Sequence, residues 1–115
     1  DQYFAELKDW AISNEVRLPF VPDYCEQSYH MFYILLPSLD HRQRLIAHLR
    51  SKGIESVFHY LPLHLAAMGL YFGGKKGDCP VTEDISDRLL RLPFFNEMTE
   101  DQQTIVVSAI QEYVV

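Results

Sequence analysis

The run Tyr29-His30-Met31-Phe32-Tyr33-Ile34-Leu35-Leu36-Pro37 constrains this chain more than any other stretch. From Met31 onward it is continuously apolar, with aromatic and β-branched side chains that suit a pleated surface. Pro37 closes it, because proline has no N–H to give to a sheet ladder. An unbroken apolar run of strand length predicts a strand over Tyr29–Leu36 buried on both faces. It is far too short to cross a bilayer, which takes ~20 apolar residues. The chain must therefore build a sheet and cover it.

The flanking segments supply the cover. Over Tyr3–Ile12, the residues Phe4, Leu7, Ala11 and Ile12 recur at helical spacing. Val16–Pro22 holds two prolines, which allow an extended edge or linker but no central strand. Asp23–Ser28 is polar and reads as a loop. After Pro37, Ser38 or Asp40 can cap a helix, and Asp40 with Gln43 has the spacing of a capping box. Leu45, Ile46 and Leu49 form that helix's stripe, Arg50 and Lys52 suit its last turn, and Gly53 suits its end. Ile54–Tyr60 reads as a second strand and Leu61–Gly77 as irregular chain. Thr82 opens a short helix to about Arg88. Leu90–Phe95 reads as a strand that Pro93 places at an edge or a bend. Thr99 with Gln102 makes another capping box, and Ile105, Val106, Ala109, Ile110 and Tyr113 follow at helical spacing. The order predicts a small α+β domain, with helices packed on one side of a three- or four-stranded sheet.

Charge and composition exclude several functions. A net charge of −6 with ten scattered Lys and Arg residues leaves no basic stripe for nucleic acid, and disfavours a membrane surface for the same reason. A 48% hydrophobic content is too high for a disordered chain. Two cysteines, Cys25 and Cys79, are no disulfide framework and read as reduced thiols in a cytoplasmic protein. A helical pattern is already running at Asp1, without an initiator Met. We therefore expect a piece of a longer chain.

The segment Val57-Phe58-His59-Tyr60-Leu61-Pro62-Leu63-His64 carries the chemistry worth weighing. Two imidazoles and a phenol stand where a strand enters a loop, a common place for sites. Metal binding is one reading, but His59 and His64 are five apart, which matches no common ligand spacing. Strand-end histidines that bond neighbouring backbone are a second. The edge of an active site completed by another domain is a third. His41 and His48 lie off the apolar stripe of their helix and are expected to be exposed, and His30 to pack. The loop Gly69–Gly77 surrounds Lys75-Lys76 with glycines but lacks the Ser or Thr and the strand–loop–helix setting of a P-loop. It reads as a mobile surface loop, or one touching a nucleotide. Lys8, Lys52, Lys75 and Lys76 read as surface charge.

Four motifs resemble the C-terminal domain of the DegT/DnrJ/EryC1/StrS aminotransferases. They are Tyr29-His30-Met31-Phe32-Tyr33, Leu49-Arg50-Ser51-Lys52-Gly53-Ile54, Phe58-His59-Tyr60-Leu61-Pro62-Leu63-His64, and Cys79-Pro80-Val81-Thr82-Glu83 followed by Ser86-Asp87-Arg88-Leu89-Leu90-Arg91-Leu92-Pro93. The resemblance implies the small domain of a fold-type I enzyme that uses pyridoxal 5′-phosphate (PLP) bound to a lysine. It implies amino transfer from L-glutamate to C4 of a dTDP-linked 4-keto-6-deoxy sugar in surface polysaccharide biosynthesis. By the same resemblance His64 approaches the site near the Schiff-base lysine, and His59 and Tyr60 approach the sugar end. The lysine and most cofactor contacts would lie in an N-terminal large domain, against which Trp10 is expected to pack unless it packs on the sheet. No catalytic or cofactor-binding residue is then expected in this chain, and this chain alone is expected to be inactive and free of PLP. The full-length protein would be a homodimer. The alternative is a free-standing α+β binding module without catalysis.

Overall fold

The computed structural model describes residues 2–115. Helix α1 spans Gln2–Ser13, strand β1 Tyr33–Leu35, helix α2 Leu39–Ser51 and strand β2 Val57–Phe58. A 3-10 turn follows at Leu63–Leu65, then helix α3 Ala67–Tyr71, helix α4 Pro80–Arg88, strand β3 Leu89–Arg91 and helix α5 Glu100–Gln111. The fold is the expected small α+β domain, built on one three-stranded sheet.

The sheet order is β1-β3-β2, with both pairings antiparallel. Residues directly opposed in such a ladder share a face. Ile34, Leu90 and Phe58 are therefore on one face, and Tyr33, Arg91 and Val57 on the other. Ile34, Leu36, Leu90 and Leu92 join the core with Leu7 of α1, Leu45 and Leu49 of α2, and Ile110 of α5. The helices thus cover the face bearing Ile34. Leu35 and Leu89 are also buried, on the opposite face, so the end of the apolar run is covered on both sides.

β3 is the central strand, not an edge. Its three residues end before Pro93, so every N–H of the strand is free for a ladder, and the proline falls just past it. Leu92 N–H still donates to the Phe32 carbonyl at 3.0 Å. The Pro93 carbonyl then accepts the buried Tyr3 hydroxyl at 2.9 Å. β1 begins at Tyr33 rather than Tyr29, because Tyr29 adopts a left-handed φ of 50° and turns the chain there. β2 is only Val57–Phe58, and at its far end Tyr60, at φ 47°, turns the chain away. The proline-bearing segment is the expected edge: Arg17 exchanges both backbone hydrogen bonds with Leu35, at 2.9 and 3.0 Å.

The helices follow local chemistry at their ends. Ser38 caps α2 by accepting the His41 N–H, while Asp40 pairs with Arg44 at 2.9 Å instead of forming a box with Gln43. Gly53, at φ 75°, ends the helix: its N–H reaches the Arg50 carbonyl and that of Ile54 the Leu49 carbonyl. The Thr99–Gln102 capping box is present in full. α4 starts two residues before Thr82, because Pro80 is preorganised for the first helical position.

Packing revises several expectations. The buried stripe of α1 is Tyr3, Leu7, Trp10 and Ala11, leaving Phe4 and Ile12 outside. Trp10 belongs to the core of this chain, and its Nε1 donates to the Tyr113 carbonyl at 2.8 Å. His48 is half-buried rather than exposed, its Nε2 2.8 Å from the Ala109 carbonyl of α5. His41 is also half-buried, beside the Arg44 guanidinium. His30 is exposed and bonds Ser28 rather than packing. Cys25 and Cys79 are exposed and unpaired. Among the described residues no helix is long and apolar enough to cross a membrane.

Candidate functional site

The end of β2 places His59 and Tyr60 together, their ring centroids 5.1 Å apart. Tyr60 sits in the left-handed region, which costs an L-residue about 1–2 kcal/mol. The Ser86 hydroxyl of α4 donates to its carbonyl at 2.8 Å and holds the turn. Its ring lies 5.2 Å from the Arg91 guanidinium, which rises from the central strand. The two rings border an open, mainly apolar depression of about 530 Å³, continued by Leu61, Leu63, Ile85 and Leu89. Behind this surface, His59 Nδ1 is sealed from solvent without a hydrogen-bond partner, as is Arg91 Nε.

His64 does not line this depression. It stands in the 3-10 turn, with its Nε2 2.8 Å from Glu83 Oε1 of α4. The same carboxylate oxygen accepts the Gly77 N–H at 2.7 Å. Both side chains are largely withdrawn from solvent, at 14% and 13% exposure, so the pair is not a solvated rim contact. The hydrogen bond from His64, and then that from Gly77, hold the Glu83 carboxyl below the usual carboxylate range. The backbone of His64 is clamped as well. A Cβ on Gly69 would strike the Leu63 carbonyl oxygen, and one on Gly74 the His64 carbonyl oxygen. The expected irregular loop is therefore a folded unit, with α3 inside it and two glycines where side chains will not fit.

That unit is no phosphate cradle. Its amides are taken by the chain's own carboxylates: Lys75 N–H goes to Asp78 at 3.0 Å and Gly77 N–H to Glu83. Nor do the residues described fit a Schiff-base site. Lys8, Lys52, Lys75 and Lys76 are all exposed, Lys52 is engaged with Glu112, and none lines the depression. Among the described residues, no three His, Cys, Asp or Glu side chains converge as a metal site.

The structure thus brings His59 and Tyr60 together at the depression, which His64 does not line. It adds two residues that the sequence did not single out, by their contacts with His64 and Tyr60. Glu83 closes the Cys79–Glu83 motif, and Arg91 lies in the stretch ending at Pro93. Their motifs marked both segments, but neither contact is readable without the tertiary fold.

Comparison with known proteins gives the geometry its setting. Residues 1–111 match the profile of the DegT/DnrJ/EryC1/StrS aminotransferase family, and the chain belongs to that family. It is 35% identical over 97 residues to the pleiotropic regulatory protein of Geobacillus stearothermophilus, covering 84% of this chain and 26% of that protein. It is 28% identical over 116 residues to dTDP-3-amino-3,4,6-trideoxy-alpha-D-glucose transaminase of Micromonospora megalomicea, covering 98% and 30%. DesV of S. venezuelae, solved in complex with a ketimine intermediate, superposes with a TM-score of 0.84 at 25% identity, over 96% of this chain and 29% of that one. The chain thus spans 26–30% of the length of these relatives.

Proposed function

We propose that this chain is the C-terminal small domain of a PLP-dependent sugar aminotransferase, and that it supplies one wall of the substrate pocket. The full-length protein moves an amino group from L-glutamate to C4 of a dTDP-4-keto-6-deoxy sugar. In this reading it is a dTDP-4-amino-4,6-dideoxygalactose transaminase serving lipopolysaccharide or enterobacterial common antigen synthesis. It works in the cytoplasm as a homodimer. The family match over residues 1–111 carries the reading. The likeness of the runs His30–Leu35, Val57–His64 and Arg88–Pro93 to that enzyme supports the choice of sugar.

PLP supplies the carbanion stabilisation of transamination. The exposed lysines here leave it, and the lysine that holds it, to the N-terminal large domain. His59 and Tyr60 meet the sugar end of the substrate, where the exposed Tyr60 phenol suits hydroxyl groups and the paired rings offer an apolar face. His64 contacts the substrate nearer the reacting carbon.

The test uses the full-length protein with PLP, dTDP-4-keto-6-deoxyglucose and L-glutamate. The expected product is the 4-amino-4,6-dideoxygalactose nucleotide. His64→Ala is expected to lower turnover by roughly tenfold or more, the worth of one lost hydrogen bond of about 1–3 kcal/mol, with the fold intact. Absence of product sinks the substrate assignment, and full activity in His64→Ala sinks the role of that residue.

A further inference from the structure

We propose that Glu83 is a positioning residue. It fixes the neutral ring of His64 in the tautomer protonated at Nε2, and so presents Nδ1 outward as a hydrogen-bond acceptor. An ionised carboxylate only accepts, so the 2.8 Å contact requires the hydrogen on His64 Nε2. The carboxylate is itself tied down: Gly77 N–H donates to the same oxygen, which keeps that oxygen aimed at the imidazole. The depressed pKa of Glu83 keeps it in the accepting form. Gly69 and Gly74 hold the backbone of His64 from the other side. His64 Nδ1 has no partner among the described residues, yet it is not among the polar atoms sealed from solvent. It is the ring nitrogen left open to an incoming group. A carboxylate that orients an imidazole through one nitrogen decides what the other can do.

The consequence narrows the chemistry His64 can serve. A bare Nδ1 accepts from a group with hydrogen to give, such as a sugar hydroxyl or an ammonium. It is a poor partner for a phosphate or a carboxylate. This consequence rests on the reading that His64 meets substrate; the tautomer itself does not.

Two measurements separate them. The first is long-range 15N–1H correlation spectroscopy of the protein labelled at histidine, read on the neutral ring. His64 is expected to show Nε2 protonated and Nδ1 bare. Glu83→Ala should mix the two tautomers. Glu83→Gln should keep the first, because Gly77 N–H holds the amide oxygen toward His64. A wild-type ring protonated at Nδ1, or a Glu83→Ala spectrum unchanged from wild type, overturns the proposal. Should Glu83→Ala fail to fold, wild type and Glu83→Gln decide it. The second measurement is turnover of dTDP-4-keto-6-deoxyglucose with L-glutamate by the full-length protein. Glu83→Ala should cost roughly tenfold in wild type and almost nothing in a His64→Ala background. Losses that multiply show Glu83 acting independently of His64 and overturn the positioning role. A fixed tautomer beside wild-type turnover in His64→Ala would instead discard the substrate reading and leave the positioning of the ring intact.

Discussion

Glu83 shows how one side chain ties together the two ends of the segment that precedes it. Its carboxyl receives hydrogen bonds from His64 and from Gly77, and both favour the charged form. A carboxyl whose folded pKa lies below its unfolded value stabilises the fold above the unfolded pKa, about 4.3 for Glu. That stabilisation is lost as pH falls through the depressed folded value. The clamp should therefore hold at neutral pH and loosen only in acid. His64→Ala removes the larger cause, so the Glu83 titration should move up toward the ordinary range, part of the way because Gly77 still donates. Carbon-detected titration of the Glu83 carboxyl reads this directly, and an unmoved midpoint would show that His64 contributes nothing to it.

The glycines of this chain make different demands, although they look alike in sequence. Gly53 has open space around a missing Cβ but a left-handed φ of 75°. Gly53→Ala should cost about 1–2 kcal/mol through backbone strain alone and leave His64 untouched. Gly69 and Gly74 meet backbone oxygens of Leu63 and His64 instead. Alanine at either position should push the 3-10 turn away, shift the His64 ring signals and break the contact with Glu83. Urea unfolding and histidine spectra of the three variants separate the two effects. Legibility divides along the same line. The cap at Ser38, the Gly53 stop, the Thr99–Gln102 box and the buried end of the apolar run were readable, because each depends on neighbours in sequence. The pairing of His59 with Tyr60 was readable for that reason too. The central place of β3, the half-buried His48, the helix inside the glycine-rich loop and the Glu83 contact were not. Each is decided by a partner brought from elsewhere: β1 and β2 for β3, α5 for His48, the 3-10 turn for α3, and His64 for Glu83, 19 residues away.

At the scale of the molecule, apolar side chains are exposed both on the segment before β1, at Phe20 and Tyr24, and around the 3-10 turn. Leu63 (86% exposed), Tyr71 (79%), Phe72 (78%) and Val81 (75%) lie on the 3-10 turn, on α3 and the residue that ends it, and at the start of α4. None of them joins the core formed by α1, α2, α5 and the sheet. Large exposed apolar side chains gathered near one region mark a surface that meets something else. In the proposed reading that partner is the large domain of the full-length protein, of which this chain spans about the length seen against its relatives. The two roles are separable. Leu63→Ser, Phe72→Ser and Val81→Ser remove apolar area that this domain does not bury. Each should therefore leave the unfolding free energy measured in urea within about 0.5 kcal/mol of wild type. A core change such as Leu90→Ala should cost about 2–5 kcal/mol in the same assay. In the full-length protein the triple serine variant should lose turnover and assembly, while retaining the far-ultraviolet signature of a folded chain. Wild-type turnover in that variant would mean that this face stays in solvent and that the pocket is closed from another side. A large stability loss in the isolated chain would mean that the face is covered from within.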